Sequence, residues 1–222
     1  MMTNSKSFKA AIFDMDGLLI DSERVIMKAW MDAASALGLT IELDAYKAVI
    51  GRADKECNAI LAAHLGSSEA AEKVRAKVEQ WLAGDVVFPL KPGAHELLTA
   101  LHVANIPCAV ASSSYLHEVT FRLRSVGVLD FFTVVTAGDE VEQAKPNPAV
   151  YLLAAKRLGI SSEDCVVFED SENGSIAALA ARAQVVIVPD LKEPSLGLQS
   201  ESFAILKSLD EAIPHIQYWF NK

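Results

Sequence analysis

The chain has 222 residues, 51% of them hydrophobic and 22% charged, which is typical of a globular protein with a large core. Its net charge of -9 and its lack of any lysine or arginine run argue against a nucleic-acid binder. No apolar stretch reaches about 18 residues and the polar start has no signal-peptide core, so we expect no membrane segment. Three scattered cysteines indicate reduced core thiols of a cytoplasmic protein.

The first predicted element is a short apolar strand, Ala10–Phe13, which ends at two aspartates. Side chains alternate in direction along a strand, so Asp14 and Asp16 start on the same side, and Gly17 allows a sharp turn after them. Two close carboxylates repel each other unless a cation or a proton separates them. Taken alone, such a pair is more often just an acidic turn after a strand.

The next part of the chain has apolar residues at helical spacing and no strand signal. We predict one helix from about residue 24 to 37, and others over residues 43–50, 55–65 and 69–82. We therefore divide the chain into a core of residues 1–22 and 87–222 and a small all-helical insert of residues 23–86.

Beyond residue 87, predicted strands alternate with helices. The strands cover residues 107–111, 132–137, 165–168 and 185–188; the helices cover residues 92–101, 118–126, 147–158, 175–182 and 208–220. Pro214 could split the last of these helices. Residues 191–203 have no clear pattern. Strands alternating with helices of about ten residues or more indicate an α/β fold, with a parallel sheet covered by helices on both faces.

Ligands of such sheets bind beyond the carboxyl ends of the strands, and polar stretches follow four predicted strands here. They are Asp14 with Asp16, residues 112–114, residues 139–140, and Glu169 with Asp170. Each has a structural alternative: Ser112 and residues 169–171 could cap helices, and residues 139–140 could start the next segment or pair with Lys145. Their convergence at one edge predicts a site.

These residue types suit phosphoryl transfer. An aspartate can attack phosphorus, and a cluster of Asp14, Asp16, Asp170 and Glu169 offers the oxygen ligands that Mg²⁺ prefers. Lys145 precedes a Pro-Asn-Pro sequence that restrains its backbone, and its ammonium could neutralise the reacting anions. A lone lysine is also commonly just solvated.

Four motifs together resemble the haloacid dehalogenase superfamily. They are Asp-Met-Asp-Gly-Leu-Leu-Ile-Asp-Ser-Glu from Asp14, Ala-Ser-Ser-Ser from Ala111, Lys-Pro-Asn-Pro from Lys145, and Phe-Glu-Asp-Ser-Glu-Asn-Gly from Phe168. The match runs from about residue 8 to residue 191. The insert is similar to the helical cap of the β-phosphoglucomutase-like subgroup, so the resemblance implies a Rossmann-like core with a helical cap.

The resemblance also implies the roles of the site residues. Asp14 would be the nucleophile, Asp16 the general acid and then the base, and Ser112 and Lys145 would hold the phosphoryl group. Mg²⁺ would be bound by Asp14, the backbone carbonyl of Asp16, and Asp170.

Other assignments are less direct. Glu169 is a further candidate ligand of the ion, through water or directly. We expect Ser113, beside Ser112, to help bind substrate, and Arg52, on a loop of the cap, to contact it. Related chains commonly have glycine where this chain has Arg182, which implies a strained left-handed residue there.

By this resemblance the protein is a Mg²⁺-dependent phosphatase of a small phosphorylated metabolite, a sugar or polyol phosphate, acting through an aspartyl phosphate. A phosphosugar mutase is one alternative, but Ile26 stands where mutases carry histidine. A non-catalytic binding or regulatory protein is another. We expect no nucleic-acid or membrane partner, and the oligomeric state stays open with a slight preference for a monomer.

Overall fold

A computed structural model describes residues 7–50, 54–84 and 86–222. The chain divides into two compact units. One unit is Ser22–Phe88, and the other comprises the chain up to Asp21 and Pro89–Lys222. No helix of the described residues is long and apolar enough to cross a membrane.

In the described residues of the unit Ser22–Phe88, all regular secondary structure is helical. Its helices are α1 (Ser22–Ser35), α2 (Leu43–Lys47), α3 (Asp54–Leu65) and α4 (Ser68–Leu82). Ala71, Val74 and Val78 recur on one face of α4 and are buried in the core of this unit, as helical spacing predicts. The predicted helix over residues 43–50 is too long, because α2 ends at Lys47 and residues 48–50 form a turn.

The other unit contains a six-stranded sheet in its described residues. The strands are β1 (Ala10–Phe13), β2 (Cys108–Ala111), β3 (Val134–Thr136), β4 (Cys165–Glu169), β5 (Gln184–Ile187) and β6 (Ala204–Ile205). The helices are α5 (Ala94–Val103), α6 (Leu116–Ser125), α7 (Ala149–Leu158), α8 (Glu172–Ala180), α9 (Leu196–Glu201) and α10 (Ile216–Trp219). The predicted α/β class is confirmed.

All neighbouring strands are parallel, in the order β3-β2-β1-β4-β5-β6. Strand β1 is central because the chain adds β2 and β3 on one side of it and β4 to β6 on the other. The strand order therefore reverses beside β1, and this switch point is where open parallel sheets bind ligands. Asp14 follows β1 directly.

The central strands are buried on both faces, which explains why they appear in the sequence as short continuous apolar runs. On one face, Phe13 stacks on Phe168 with ring centroids 4.8 Å apart. On the other, Ile12 and Val167 belong to a cluster that includes Tyr151 of α7. This packing fixes the strand ends that carry the polar residues.

The last forty residues contain two elements that the sequence does not predict. Helix α9 and strand β6 lie in or just after the stretch without a clear pattern. The predicted helical segment over residues 208–220 is split near Pro214, as the proline indicates: a 3₁₀ helix covers Leu209–His215, and the short α10 follows it. Pro214 lacks the N–H that an α-helix needs, and it falls in the 3₁₀ part.

Smaller predictions can also be checked. Arg182 has φ +64°, so the left-handed conformation inferred from the sequence is confirmed. Its guanidinium lies 2.9 Å from Glu163 on the surface. The three cysteines are free thiols, and Cys108 and Cys165 are buried.

Candidate active site

Strand register places Asp14 between β2 and β4. Phe13 is level with Val110 on one side and with Phe168 on the other. The next residue of each strand is therefore also level, which sets Asp14 between Ala111 and Glu169. The backbone N–H of Asp14 donates to the carbonyl of Phe168 at 3.0 Å.

Lys145 reaches all three of these neighbouring positions. Its ammonium donates to Asp14 Oδ1 at 2.5 Å, to Glu169 Oε1 at 2.8 Å and to the carbonyl of Ala111 at 3.0 Å. Its side chain is only 6% exposed, so three oxygen acceptors take the place of water. The ammonium also lies 4.7 Å from the centre of the Tyr151 ring.

Glu169 is the fully buried partner of this lysine. Its Oε1 also accepts a hydrogen bond of 2.6 Å from the Tyr151 hydroxyl. Its Oε2 accepts from the backbone N–H groups of Asp170 and Ser171 and from the Ser171 hydroxyl. Ser171 caps α8 by accepting from the N–H of Gly174, so the capping role considered for this segment belongs to Ser171.

Burial and charge change the pKa values of this group strongly. Desolvation, with the charges of Glu169 and Asp16, raises the pKa of Asp14 to about 8 although Lys145 opposes the rise. Desolvation would lower the pKa of Lys145, but the charges of Asp14 and Glu169 outweigh it and the pKa is raised. Desolvation likewise opposes the ionised form of Glu169, yet Lys145 and its hydrogen bonds keep the pKa low.

Asp170 completes an acidic cluster at the same edge. One oxygen each from Asp14, Glu169 and Asp170 lie within 4.8 Å of one another. Desolvation and the charges of Glu169 and Asp14 raise the pKa of Asp170 well above its ordinary value. Such a set of hard oxygen donors in need of positive charge fits a divalent cation such as Mg²⁺.

Two glycines leave room for these carboxylates. Gly17 has φ +85°, which L-residues rarely adopt, and a Cβ atom on it would collide with the Asp170 carboxylate. A Cβ atom on Gly174 would collide with the Glu169 carboxylate. The glycine that was predicted to turn the chain after Asp16 therefore also makes space for the acidic cluster.

Asp16 has partners of its own. Arg122 Nη1 of α6 lies 2.7 Å from Asp16 Oδ1, and the Ser114 hydroxyl donates to Asp16 Oδ2 at 3.0 Å. The two side chains are 18% and 25% exposed for Arg122 and Asp16, so the ion pair is partly shielded from water. Ser114 lies in the predicted polar stretch of residues 112–114, whereas the sequence gave no indication of Arg122.

The loop after β2 holds the predicted serines. Ser112 is buried, its N–H donates to the carbonyl of Thr136, and its hydroxyl accepts from the N–H of Ser114. It follows Ala111, whose carbonyl accepts from Lys145, so it lies beside the cluster. Ser112 does not cap α6, whose N-cap residue is Tyr115. Ser113 is exposed in the same loop.

Asp139 and Glu140 are structural, as predicted, but the suggested pairing with Lys145 is wrong. Asp139 accepts from the N–H of Leu116 at the start of α6. Glu140 forms a two-point ion pair with Arg157. Arg52, the predicted substrate contact, lies outside the described residues.

The sequence reasoning missed Tyr151 and Arg122, and it gave Ser114 no role of its own within the polar stretch of residues 112–114. The only signals were weak: Tyr151 follows Lys145 by six positions in the apolar first part of α7, and a buried tyrosine hydroxyl needs a partner. Arg122 lies next to buried Leu123 and three positions after buried Val119, at the margin of the buried face of α6.

The chain belongs to the haloacid dehalogenase-like hydrolases, because the model of that family matches residues 8–182. The resemblance drawn from the four motifs is thereby confirmed, and the protein is a hydrolase. The matched segment contains every acidic residue of the cluster and Lys145.

Named relatives include phosphatases. The chain is 31% identical to the phosphorylated carbohydrates phosphatase of Thermotoga maritima, over 90% of this chain and 94% of that protein. It is 33% identical to hexitol phosphatase B of Escherichia coli, over 85% of this chain and 86% of that protein. Among solved structures, a HAD family hydrolase from Deinococcus radiodurans with bound phosphate and sodium matches with a TM-score of 0.80 and 27% identity, covering 96% of each chain.

Proposed function

We propose that the protein is a Mg²⁺-dependent phosphatase that hydrolyses a small sugar or polyol phosphate through a phosphorylated Asp14. The observation that carries this proposal is the buried ammonium of Lys145, which contacts Asp14 and Glu169 at once. A carboxylate beside a fixed cation suits attack on an anionic phosphoryl group. The relatives named for phosphorylated carbohydrates and hexitols support this class of substrate.

In the first half of the reaction, an Asp14 oxygen attacks phosphorus and the phosphorus–oxygen bond to the sugar breaks. Protonated Asp16 gives its proton to the departing oxygen. In the second half, the Asp16 carboxylate takes a proton from water as the water oxygen attacks phosphorus, which releases phosphate and Asp14. One carboxyl group serves both halves because they need opposite proton transfers.

Other residues would bind the phosphoryl group and Mg²⁺ and neutralise negative charge. Lys145 balances the charge of Asp14 and of the transferring phosphoryl group, and Ser112 and Ser113 donate to phosphate oxygens from the loop after β2. Asp14, Asp170 and the backbone carbonyl of Asp16 would hold Mg²⁺, with Glu169 as a further candidate ligand. When bound, the ion supplies positive charge that favours ionised Asp14 and offsets the charge of the phosphate.

The proposal assigns catalysis and substrate selection to the two domains predicted from the sequence. Residues 1–22 and 87–222 would form the catalytic core, and residues 23–86 would form a cap that selects the substrate, with Arg52 as a substrate contact. We place the reaction in the cytoplasm. The mutase alternative is disfavoured because Ile26 cannot exchange a proton with a sugar hydroxyl as a histidine can.

The test is phosphate release from a panel of sugar, polyol and glycerol phosphates, with Mg²⁺ and with a chelator. We expect turnover only with the metal. No release by folded protein on a broad panel would overturn the proposal. A need for a sugar bisphosphate, with product isomerised and no phosphate freed, would favour the mutase instead.

Metal binding should depend on pH in a defined direction. The raised pKa of Asp14, about 8, means that the folded metal-free protein holds a proton that the unfolded chain releases at lower pH. The contribution of Asp14 to the stability of the metal-free protein should therefore fall as pH rises from about 4 to about 8. Mg²⁺ must displace this proton, so it should raise the melting temperature more at about pH 8 than at about pH 6.

Thermal unfolding with Mg²⁺ and with chelator at both pH values measures this difference. The Asp170→Asn variant is the control, since it removes a proposed ligand and should lose most of the metal-dependent shift. An equal shift at both pH values in the wild type would contradict the expectation.

A further inference from the structure

Arg122 lies in the same unit as Asp14 and Asp16, but it belongs to none of the four motifs. It lies in the second turn of α6, between Phe121 and Leu123, and 106 positions after Asp16. Its guanidinium is nevertheless 2.7 Å from the Asp16 carboxylate. The chain therefore brings a distant arginine to the one proposed catalytic acid that Lys145 does not contact in the described structure.

The Asp16 carboxylate is held from two directions. Arg122 contacts Oδ1 and the Ser114 hydroxyl contacts Oδ2. Ser114 is itself fixed, because its N–H donates to the Ser112 hydroxyl and its carbonyl accepts from the N–H of Gly138. A carboxylate with one partner can rotate about its last bond, whereas donors on both oxygens determine its plane.

This arrangement leaves Asp16 able to exchange a proton. An ionised carboxylate offers about four lone-pair sites, and the two contacts use one on each oxygen. The remaining sites can bind a departing sugar oxygen or a water. A proton transfer of this kind needs its donor within hydrogen-bond reach, and misplacement by about 1 Å can cost about 10²-fold in rate.

We propose that Arg122, assisted by Ser114, is a positioning residue that orients the Asp16 carboxylate for both proton transfers. The proposal rests on the phosphatase function proposed above. Arg122 would act through Asp16, whose carboxylate it contacts. Its planar, permanently charged guanidinium suits a half-buried carboxylate better than a flexible ammonium would.

The test compares two substrates that differ in their need for a proton. A sugar or glycerol phosphate releases an alkoxide and depends on Asp16 as acid, whereas p-nitrophenyl phosphate releases an anion that is stable without one. We expect Arg122→Met to lower kcat/KM by about 10 to 10²-fold on the alkyl ester and by less than about threefold on the nitrophenyl ester. Arg122→Lys should recover part of the loss.

Arg124→Met is the matched control, because it removes the same charge from an exposed position on the same helix and should leave both substrates unaffected. Equal losses on both esters would mean a merely structural role and would overturn the proposal, as would no loss on either. Wild-type protein that cleaves neither ester with Mg²⁺ would instead overturn the phosphatase function, and the role of Arg122 with it.

Discussion

The Asp14→Asn variant should release no measurable phosphate, with a loss of roughly 10⁴-fold or more relative to wild type. The substitution keeps the shape of the side chain and removes the attacking oxygen anion. Phosphate release with Mg²⁺ measures the loss. Wild-type protein that is quenched with acid during turnover should carry covalently bound phosphate, and the Asp14→Asn variant should carry none.

The variant should remain folded, which makes the result interpretable. Burial and neighbouring acids raise the pKa of Asp14 to about 8, so the metal-free site favours an uncharged group at this position. Asparagine is uncharged and its oxygen can still accept from Lys145, so the melting temperature should equal or exceed that of metal-free wild type.

Asp130→Asn serves as the control, because Asp130 is an exposed carboxylate on the same unit. It should retain full activity. Substantial phosphate release by Asp14→Asn would exclude Asp14 as the nucleophile.

The central sheet could be predicted from sequence because its strands are buried on both faces. Such strands appear as short apolar runs that stop at polar residues, so the ends of β1 and β4 were placed within a residue. The edge strand β6 lacks this signal: it has two residues, and Ile205 is 42% exposed. Its position depends on pairing with β5, which no local pattern reveals.

In the candidate active site, the residues at strand ends could be predicted from the sequence, whereas the contacts that helices make with them could not. Asp14, Glu169 and Ala111 follow from strand order, because parallel strands in register bring their ends to one level. Lys145 follows from its motif. Its contact with Tyr151, and the pairing of Arg122 with Asp16, depend on how α7 and α6 pack on the sheet, and helical spacing leaves that rotation undetermined.

Glu169 shows how contacts can change an interpretation that motifs suggest. The sequence offered it as a metal ligand, and that role stays a prediction. In the structure its Oε1 accepts two hydrogen bonds and its Oε2 accepts three, from Lys145, Tyr151, Ser171 and the N–H of Asp170. These contacts make it above all the residue that holds Lys145 and the start of α8 in place.

Lys145→Met should have the second large effect, on both rate and stability. Activity should fall by roughly 10²- to 10³-fold, because the transferring phosphoryl group loses a fixed cation. The metal-free protein should also lose about 3 kcal/mol of unfolding free energy, since the ionised Glu169 carboxylate, whose pKa Lys145 keeps low, would lie buried without its charged partner. Phosphate release and urea unfolding in the presence of a chelator measure the two effects.

The stability loss should depend on pH with a definite sign. The pKa of Glu169 is depressed by Lys145 in the wild type, so this pairing stabilises the fold above the ordinary glutamate range, about pH 4.5, and is lost as pH falls through the lowered value. The difference in unfolding free energy between wild type and Lys145→Met should therefore narrow towards acid pH.

Three further variants separate the loss of charge pairing from a general loss of packing: Lys156→Met, Glu169→Gln alone, and Glu169→Gln combined with Lys145→Met. Lys156→Met removes the same charge from an exposed position of α7 and should change stability by no more than about 0.5 kcal/mol. Adding Glu169→Gln to Lys145→Met removes the stranded charge and should restore part of the lost stability, since a neutral amide costs less to bury than an unpaired carboxylate. If the double variant were as unstable as the sum of both single changes, the lysine would stabilise the fold by packing rather than by its charge.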